Sequence, residues 1–323
     1  MILDLIIPAY NAHDTIDRAL ASVAMQKLDA GDEVRVTIVN DASPNGSYHD
    51  CARYWAIQMD VGVVDKKINA GCGQARQTGV DVTAGDCIAF MDADDVLGSP
   101  FALRIMLDGM KLDYDVVMGV FIEEQANKRI IEHGANWIWC HGKCYKRKFL
   151  EENNIRFNET RGNEDVGFNS IVQNLTENVL YVPQVMYIWQ NQKTSLVRTD
   201  STAYAYGHGW QDFIYNMSWA IHELEKRDAP KEKIQNFLGE VIGRFYWQLM
   251  DGHEAYPEGE DSTLLSLRDW VEQTAKPYWE SGDLNDEILR NGYFKVAGDT
   301  PMASIPFMTY DRFLTEIGLG VNQ

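Results

Sequence analysis

Residues 87–95 read Cys87-Ile88-Ala89-Phe90-Met91-Asp92-Ala93-Asp94-Asp95. Five apolar residues in succession, with no polar alternation, suit a short strand buried on both faces. Three carboxylates then follow within four positions, where the strand gives way to a turn. A doubly buried strand implies a sheet covered by helices on each side, and such sheets bind their ligands at the carboxyl ends of their strands. The acids stand at that end.

The flanking sequence repeats the pattern. Upstream, Leu3–Pro8 is an apolar run, and Asp14–Gln26 carries apolar residues at Ile16, Ala19, Leu20, Val23 and Ala24, a helical spacing. Val34–Val39 reads as a strand that stops at Asn40-Asp41-Ala42-Ser43-Pro44-Asn45-Gly46, a dense turn signal. Tyr48–Met59 and Gly73–Thr83 suit helices, with Val61–Asp65 as a strand between them. Downstream, Pro100–Asp113 suits a helix and Asp115–Phe121 a strand. The alternation predicts an α/β fold with a mostly parallel, Rossmann-like sheet flanked by helices. Phe149–Asn153 and Asp165–Asn174 read as further helices and Val179–Val182 as a strand. Beyond Thr199 the texture turns helical over Ala203–Arg227, Lys231–Met250 and Thr263–Lys276. The expected division is residues 1–199 as a ligand-binding domain and 200–323 as a helical C-terminal region that packs on it.

Composition narrows the classes of function. The 323 residues are 45% hydrophobic and 24% charged, enough for a real core. Lys and Arg total 29 against 48 Asp and Glu, a formal net charge of −19. An extended nucleic-acid or anionic-membrane footprint needs the opposite sign. No apolar run approaches the roughly 18–20 residues that span a bilayer, and Met1–Pro8 lacks a basic leader region, so the expected location is cytoplasmic. Five cysteines, at 51, 72, 87, 140 and 144, form an odd and sparse set that fits a reducing compartment. Cys140-His141-Gly142-Lys143-Cys144 has no second ligand pair to make a zinc site, so its thiols read as partly buried core groups. Of the cluster Lys143, Lys146, Arg147 and Lys148, most reads as a solvated helix face.

Asp92 and Asp94 share the D-x-D spacing, so both can reach one ligand zone. Hard oxygens there suit Mg²⁺ or Mn²⁺, which complete their shells with water and substrate phosphates. Asp41 sits at another strand end, where a turn or N-cap role weighs equally with ligand contact. Asn69-Ala70-Gly71-Cys72-Gly73-Gln74-Ala75-Arg76 opens a helix with glycines and places an Arg one turn in, a setting for phosphate. Glu164-Asp165 can each raise the other's pKa; the alternative is a helix start that favours acids through its dipole. The tail tryptophans Trp210, Trp219, Trp247, Trp270 and Trp279 read first as helix packing.

Taken in order, these segments resemble the family 2 glycosyltransferases with their GT-A nucleotide-sugar domain. The resemblance runs from Ile6 to about Arg198. It is carried by Ile7-Pro8-Ala9-Tyr10-Asn11, Val39–Ser43, Asn69–Gly79, Asp92–Asp94, Gly142–Leu150 with Ile155–Phe157, and Gly162-Asn163-Glu164-Asp165-Val166 with Phe168. Two departures stand out: Ala42 where the motif usually has Gly, and Gln77 where Asn is commoner.

The resemblance implies an inverting enzyme that moves a sugar from a nucleotide-diphosphate sugar, most often UDP-linked, to an acceptor hydroxyl with Mn²⁺ or Mg²⁺. It implies that Pro8 and Tyr10 line the base pocket and that Asp41 contacts base or ribose. Asn69, Gly71, Arg76 and Lys143 fall in donor-binding motifs. Asp92 would touch ribose or sugar, and Asp94, with Asp92, would hold the cation. Asp165 of the Glu164-Asp165 pair would be the general base. Lys193, Ser195 and Arg198 lie in the loop expected to close on the diphosphate. The acceptor stays open between a glycan, a polymer, a protein and a modified nucleobase of viral DNA. Two other readings compete: a sugar-phosphate nucleotidyltransferase, which the missing glycine-rich loop after the first strand opposes, and an inactive nucleotide-sugar-binding module, which the three acids oppose.

Overall fold

Strand β1 (Ile2–Ala9) shows why the sheet forms. Leu3, Leu5 and Ile7 point into a core shared with helices α1 (Ile16–Ala24) and α4 (Ala102–Lys111), while Ile6 points to the other face. There Gly79 of α3 (Cys72–Val82) comes so close that a Cβ on it would lie 2.4 Å from the Ile6 side chain. Both faces of the strand are thus covered, and each buried Leu or Ile stabilises by about 1.5–3 kcal/mol. These coordinates are a computed structural model that describes residues 1–125, 127–134, 136–191, 209–252, 260–299, 306 and 308–320.

The chain divides into two compact units, Met1–Ser195 and Leu196–Gln323. The first contains β2 (Glu33–Asn40), α2 (His49–Trp55), β3 (Asp60–Asp65), β4 (Cys87–Phe90), β5 (Val96–Leu97), β6 (Val116–Glu124), β7 (Ile130–His133), β8 (Lys143–Lys146), α5 (Arg147–Glu152), α6 (Glu164–Leu175) and β9 (Val179–Trp189). The sheet runs β3-β2-β1-β4-β8-β6-β9-β5, with β7 paired to β6. Strands β3, β2, β1 and β4 are parallel neighbours, and so are β6 and β9. Strand β8 inserts antiparallel between β4 and β6, which joins the two parallel sets. A buried ion pair pins that insertion. Arg147 donates to Asp4 Oδ2 at 2.7 Å and to the Gly85 carbonyl at 2.6 Å. Arg147 therefore departs from the expected solvated face: it is 8% exposed, whereas Lys148 beside it stays in solvent.

The second unit is helical: α7 (Gly209–Lys226), α8 (Lys231–Gly252), α9 (Glu260–Trp270), α10 (Lys276–Glu280), α11 (Asp286–Asp299) and α12 (Tyr310–Glu316). A π-helical turn at Val271–Ala275 links α9 to α10. Trp210 and Trp270 are buried, and Trp270 sets its ring edge to face with Phe245 at 4.9 Å, as packing residues do. Helices α8 and α11 cross at glycines: a Cβ on Gly292 would lie 2.1 Å from the Gly239 carbonyl carbon. No helix among the described residues is long and apolar enough to cross a membrane.

Candidate active site

The carboxyl ends of β1, β2 and β4 carry the polar residues singled out by sequence. At β4 the chain turns at Asp92–Asp95, with the Asp95 N–H donating to the Asp92 carbonyl at 3.1 Å. Tyr187 of β9 holds this turn from the side. Its hydroxyl accepts the Asp92 N–H at 3.1 Å and donates to Asp95 Oδ2 at 2.7 Å. The Gln190 N–H donates to the other Asp95 oxygen at 2.8 Å. Burial, then the nearby Asp92 and Asp94, pushes the Asp95 carboxyl well above the usual carboxylate range.

Arg76, one turn into α3, ties two of the expected site acids together. It is 3% exposed and donates to Asp92 Oδ1 at 2.7 Å and to Glu164 Oε1 at 2.7 Å. The same Glu164 oxygen accepts from the Cys72 thiol at 2.8 Å. Room for Glu164 comes from Gly73, whose missing side chain leaves the Glu164 Cγ where a Cβ would lie 2.5 Å away. Burial would raise Asp92, but the Arg76 guanidinium and then His141 hold its carboxyl well below the usual range. Glu164 is thus the buried counter-ion of Arg76, and its neighbour Asp165 is the more open of the pair.

Asp165 occupies the first turn of α6, after Asn163 in a left-handed conformation at φ 57°. Its Oδ1 accepts the Val166 N–H at 2.9 Å. Burial, then the charge of Glu164, raises the Asp165 carboxyl to about 7, against the opposing pull of Arg76 and His141. A carboxyl tuned to neutrality can take up a proton at physiological pH.

The second group gathers at the end of β2. Asp41, 3% exposed, accepts from Lys66 Nζ at 2.6 Å and from the Gly71 N–H at 2.8 Å. It thereby fixes the approach to α3, where Gly71 has φ +89°. Asn69 accepts from Arg161 through both its side chain and its carbonyl, at 3.0 Å each. Pro8 is buried in β1, and Tyr10 beyond it is 51% exposed. Lys143 is 1% exposed in β8 and donates to the Trp139 carbonyl; burial lowers it to about 8. Lys193, Ser195 and Arg198 lie outside the described residues.

His141 was not singled out as a site residue by sequence. It is 5% exposed, stacked on Tyr187 at 4.5 Å, and its Nε2 lies 3.6 Å from Asp92 Oδ2. The C-H-x-x-C spacing draws attention to Cys140 and Cys144, which are buried thiols; the tertiary fold instead sets His141 against the acids. Ligand atoms of Asp92, Asp95 and His141 lie within 4.8 Å of one another. Oxygen and imidazole donors so grouped fit a divalent cation. Asp94, half-buried, is not in this group, which takes in Asp95 in its place; the Asp94 carbonyl accepts from Arg18 at 2.7 Å.

Residues 4–162 match the family model described as glycosyl transferase family 2. The uncharacterized glycosyltransferase EpsJ of Bacillus subtilis (strain 168) is 24% identical over 219 residues, 60% of this chain and 62% of that protein. The chain spans 36–63% of the length of three curated relatives it matches. Among solved structures, residues 1–349 of S. aureus TarS in complex with UDP-GlcNAc superpose with a TM-score of 0.70 at 16% identity, over 98% of this chain and 90% of that one. The mannosyltransferase PcManGT from Pyrobaculum calidifontis, in complex with GDP-Man and Mn²⁺, gives 0.51 at 17% identity, over 92% and 87%. These two likenesses bear on the fold, a GT-A-type α/β sheet. Through residues 4–162, which lie within its first unit, the chain belongs to glycosyl transferase family 2.

Proposed function

We propose that the protein is an inverting glycosyltransferase that takes a sugar from a UDP-sugar and delivers it to an acceptor hydroxyl. The observation that carries this reading is Asp165: a carboxyl raised to about 7, at the mouth of a helix, beside the Arg76-bridged pair Asp92 and Glu164. In the proposed step, Asp165 takes the acceptor proton as the acceptor oxygen bonds the anomeric carbon. The bond from that carbon to the diphosphate oxygen breaks on the opposite face, which inverts the centre. Asp92 and Asp94 would hold a divalent cation, which when bound neutralises charge on the leaving diphosphate. Arg76 keeps Asp92 ionised and oriented, and Asp41 with Lys66 holds the loop that meets the nucleotide. The UDP-GlcNAc bound to TarS supports the uridine donor, and the Mn²⁺ in PcManGT supports the cation.

The helical C-terminal region expected over 200–323 is proposed to take part in acceptor recognition. The test is incubation with a panel of nucleotide sugars, Mn²⁺ and candidate acceptor glycans. Release of nucleoside diphosphate with transfer is expected, and Asp165→Asn should lose transfer by about 10²–10⁴-fold while still binding UDP. Normal turnover in that variant would remove Asp165 from the base role.

A further inference from the structure

We propose that His141 is a nitrogen ligand for the divalent cation of this site and makes it select Mn²⁺ or Co²⁺ over Mg²⁺. The inference rests on the cation-assisted transferase reading above. Three observations carry it. First, His141 is 5% exposed, and one of its ring nitrogens lies within 4.8 Å of carboxylate oxygens of both Asp92 and Asp95, a buried mixed nitrogen and oxygen donor group. Second, its ring is fixed. It lies parallel to Tyr187 at 4.5 Å and 9°, and parallel to Trp139 at 6.3 Å and 8°. Tyr187 is itself anchored through its hydroxyl to Asp95 and to the Asp92 N–H. The imidazole therefore cannot swing away, and its Nε2 faces Asp92 Oδ2.

Third, that gap is 3.6 Å, longer than a direct hydrogen bond. A cation bound to an imidazole nitrogen and a carboxylate oxygen at roughly 2.0–2.2 Å each bridges such a gap at an open angle without moving either residue. Mg²⁺ keeps oxygen donors and water in a near-ideal octahedron, so an imidazole nitrogen in the set counts against it. The mixed oxygen and nitrogen set of Asp92 and His141 fits a borderline cation better. Asp95, whose two oxygens already accept from Tyr187 and Gln190, serves as the support that orients the stack.

The experiment titrates the whole protein with Mn²⁺ and with Mg²⁺ in the presence of UDP, following tryptophan fluorescence, since Trp139 lies against His141. Electron spin-echo spectroscopy of the Mn²⁺ complex should show modulation from a directly bound ¹⁴N, replaced by the ¹⁵N pattern when histidine is isotopically labelled. His141→Gln should weaken Mn²⁺ binding by about 10–100-fold, change Mg²⁺ binding by less than about twofold, and abolish the nitrogen modulation. The labelled wild type answers the question even if that variant does not fold. A Mn²⁺ complex without nitrogen modulation, or an unchanged Mn²⁺ affinity in folded His141→Gln, overturns the proposal. If Asp94→Ala then loses Mn²⁺ while His141→Gln keeps it, the transferase reading stands with an all-oxygen site. UDP binding with no response to either cation overturns both the ligand role and the cation dependence.

Discussion

At the scale of single residues, the proposed base role of Asp165 would couple chemistry to stability. Its carboxyl holds a proton up to about 7 in the folded chain, against about 3.9 when unfolded. Between those values the folded state binds more protons. The resulting stabilisation is complete below the unfolded value and is lost as pH rises through 7. Asp165→Asn has no such proton to lose. The variant should therefore gain in melting temperature relative to wild type at pH 8 and much less at pH 5, while wild-type turnover climbs between pH 6 and 8 as the base ionises. Paired melting curves and a pH–rate profile measure both; a constant difference in melting temperature would place the titration elsewhere. Ala42 makes a second case. Its φ of +58° is left-handed, a region where an L residue is strained and glycine is not. The family motif usually has Gly at this position. Ala42→Gly should stabilise by about 0.5–1 kcal/mol, after the extra chain entropy of glycine is offset. Denaturant titration would show it.

At the scale of elements, close crossings decide which substitutions are tolerated. Helix α11 contains two glycines that differ only in surroundings. A Cβ on Gly292 would lie 2.1 Å from backbone carbon of Gly239, whereas one on Gly298 would meet nothing within 4 Å. Backbone on both sides cannot yield as a flexible side chain can. Gly292→Ala should cost about 3 kcal/mol or more by forcing α8 and α11 apart. Gly298→Ala should be neutral or stabilise by up to about 0.8 kcal/mol through helix propensity. Equal effects in thermal denaturation would contradict the crossing. Neither crossing nor contact is visible in the periodicity that located α8. The same limit explains the first unit. Strands β1, β2 and β4 and helices α1 and α3 were legible because local apolar pattern and turn residues dictate them. The short strands β5, β7 and β8 were not, because four residues such as Lys143–Lys146 carry no period, and their strand state comes from pairing with β4 and β6. In the site, Asp92, Arg76 and Asp165 stood out through motif spacing. His141 and Tyr187 did not, since only the fold brings residues about 50 and 95 positions away to the Asp92 turn.

At the scale of the whole molecule, the net charge of −19 acts on association rather than on the fold. The carboxylates at the strand ends fall in the candidate site, but they are few among 48 acidic residues. The rest spread a negative potential over both units, since residues 201–323 alone carry 20 acids against 10 basic residues. The proposed donor is itself a dianion at its diphosphate. Its encounter with the protein is therefore repulsive at long range, although Arg76, Lys66 and a bound cation attract it once inside. Repulsion acts over the Debye length, about 30 Å at 0.01 M salt and about 8 Å at 0.15 M. Screening should remove the long-range term first and leave the buried contacts intact. Raising NaCl from 0.01 to 0.15 M at fixed Mn²⁺ should thus lower the donor KM by about twofold or more while kcat stays constant. Enzymes that steer anions with a basic funnel respond in the opposite sense. A donor KM that rises with salt would show that a local positive field at the cleft outweighs the acidic surface. The same potential predicts passage through a DNA column at 0.15 M salt without retention, and retention would contradict it.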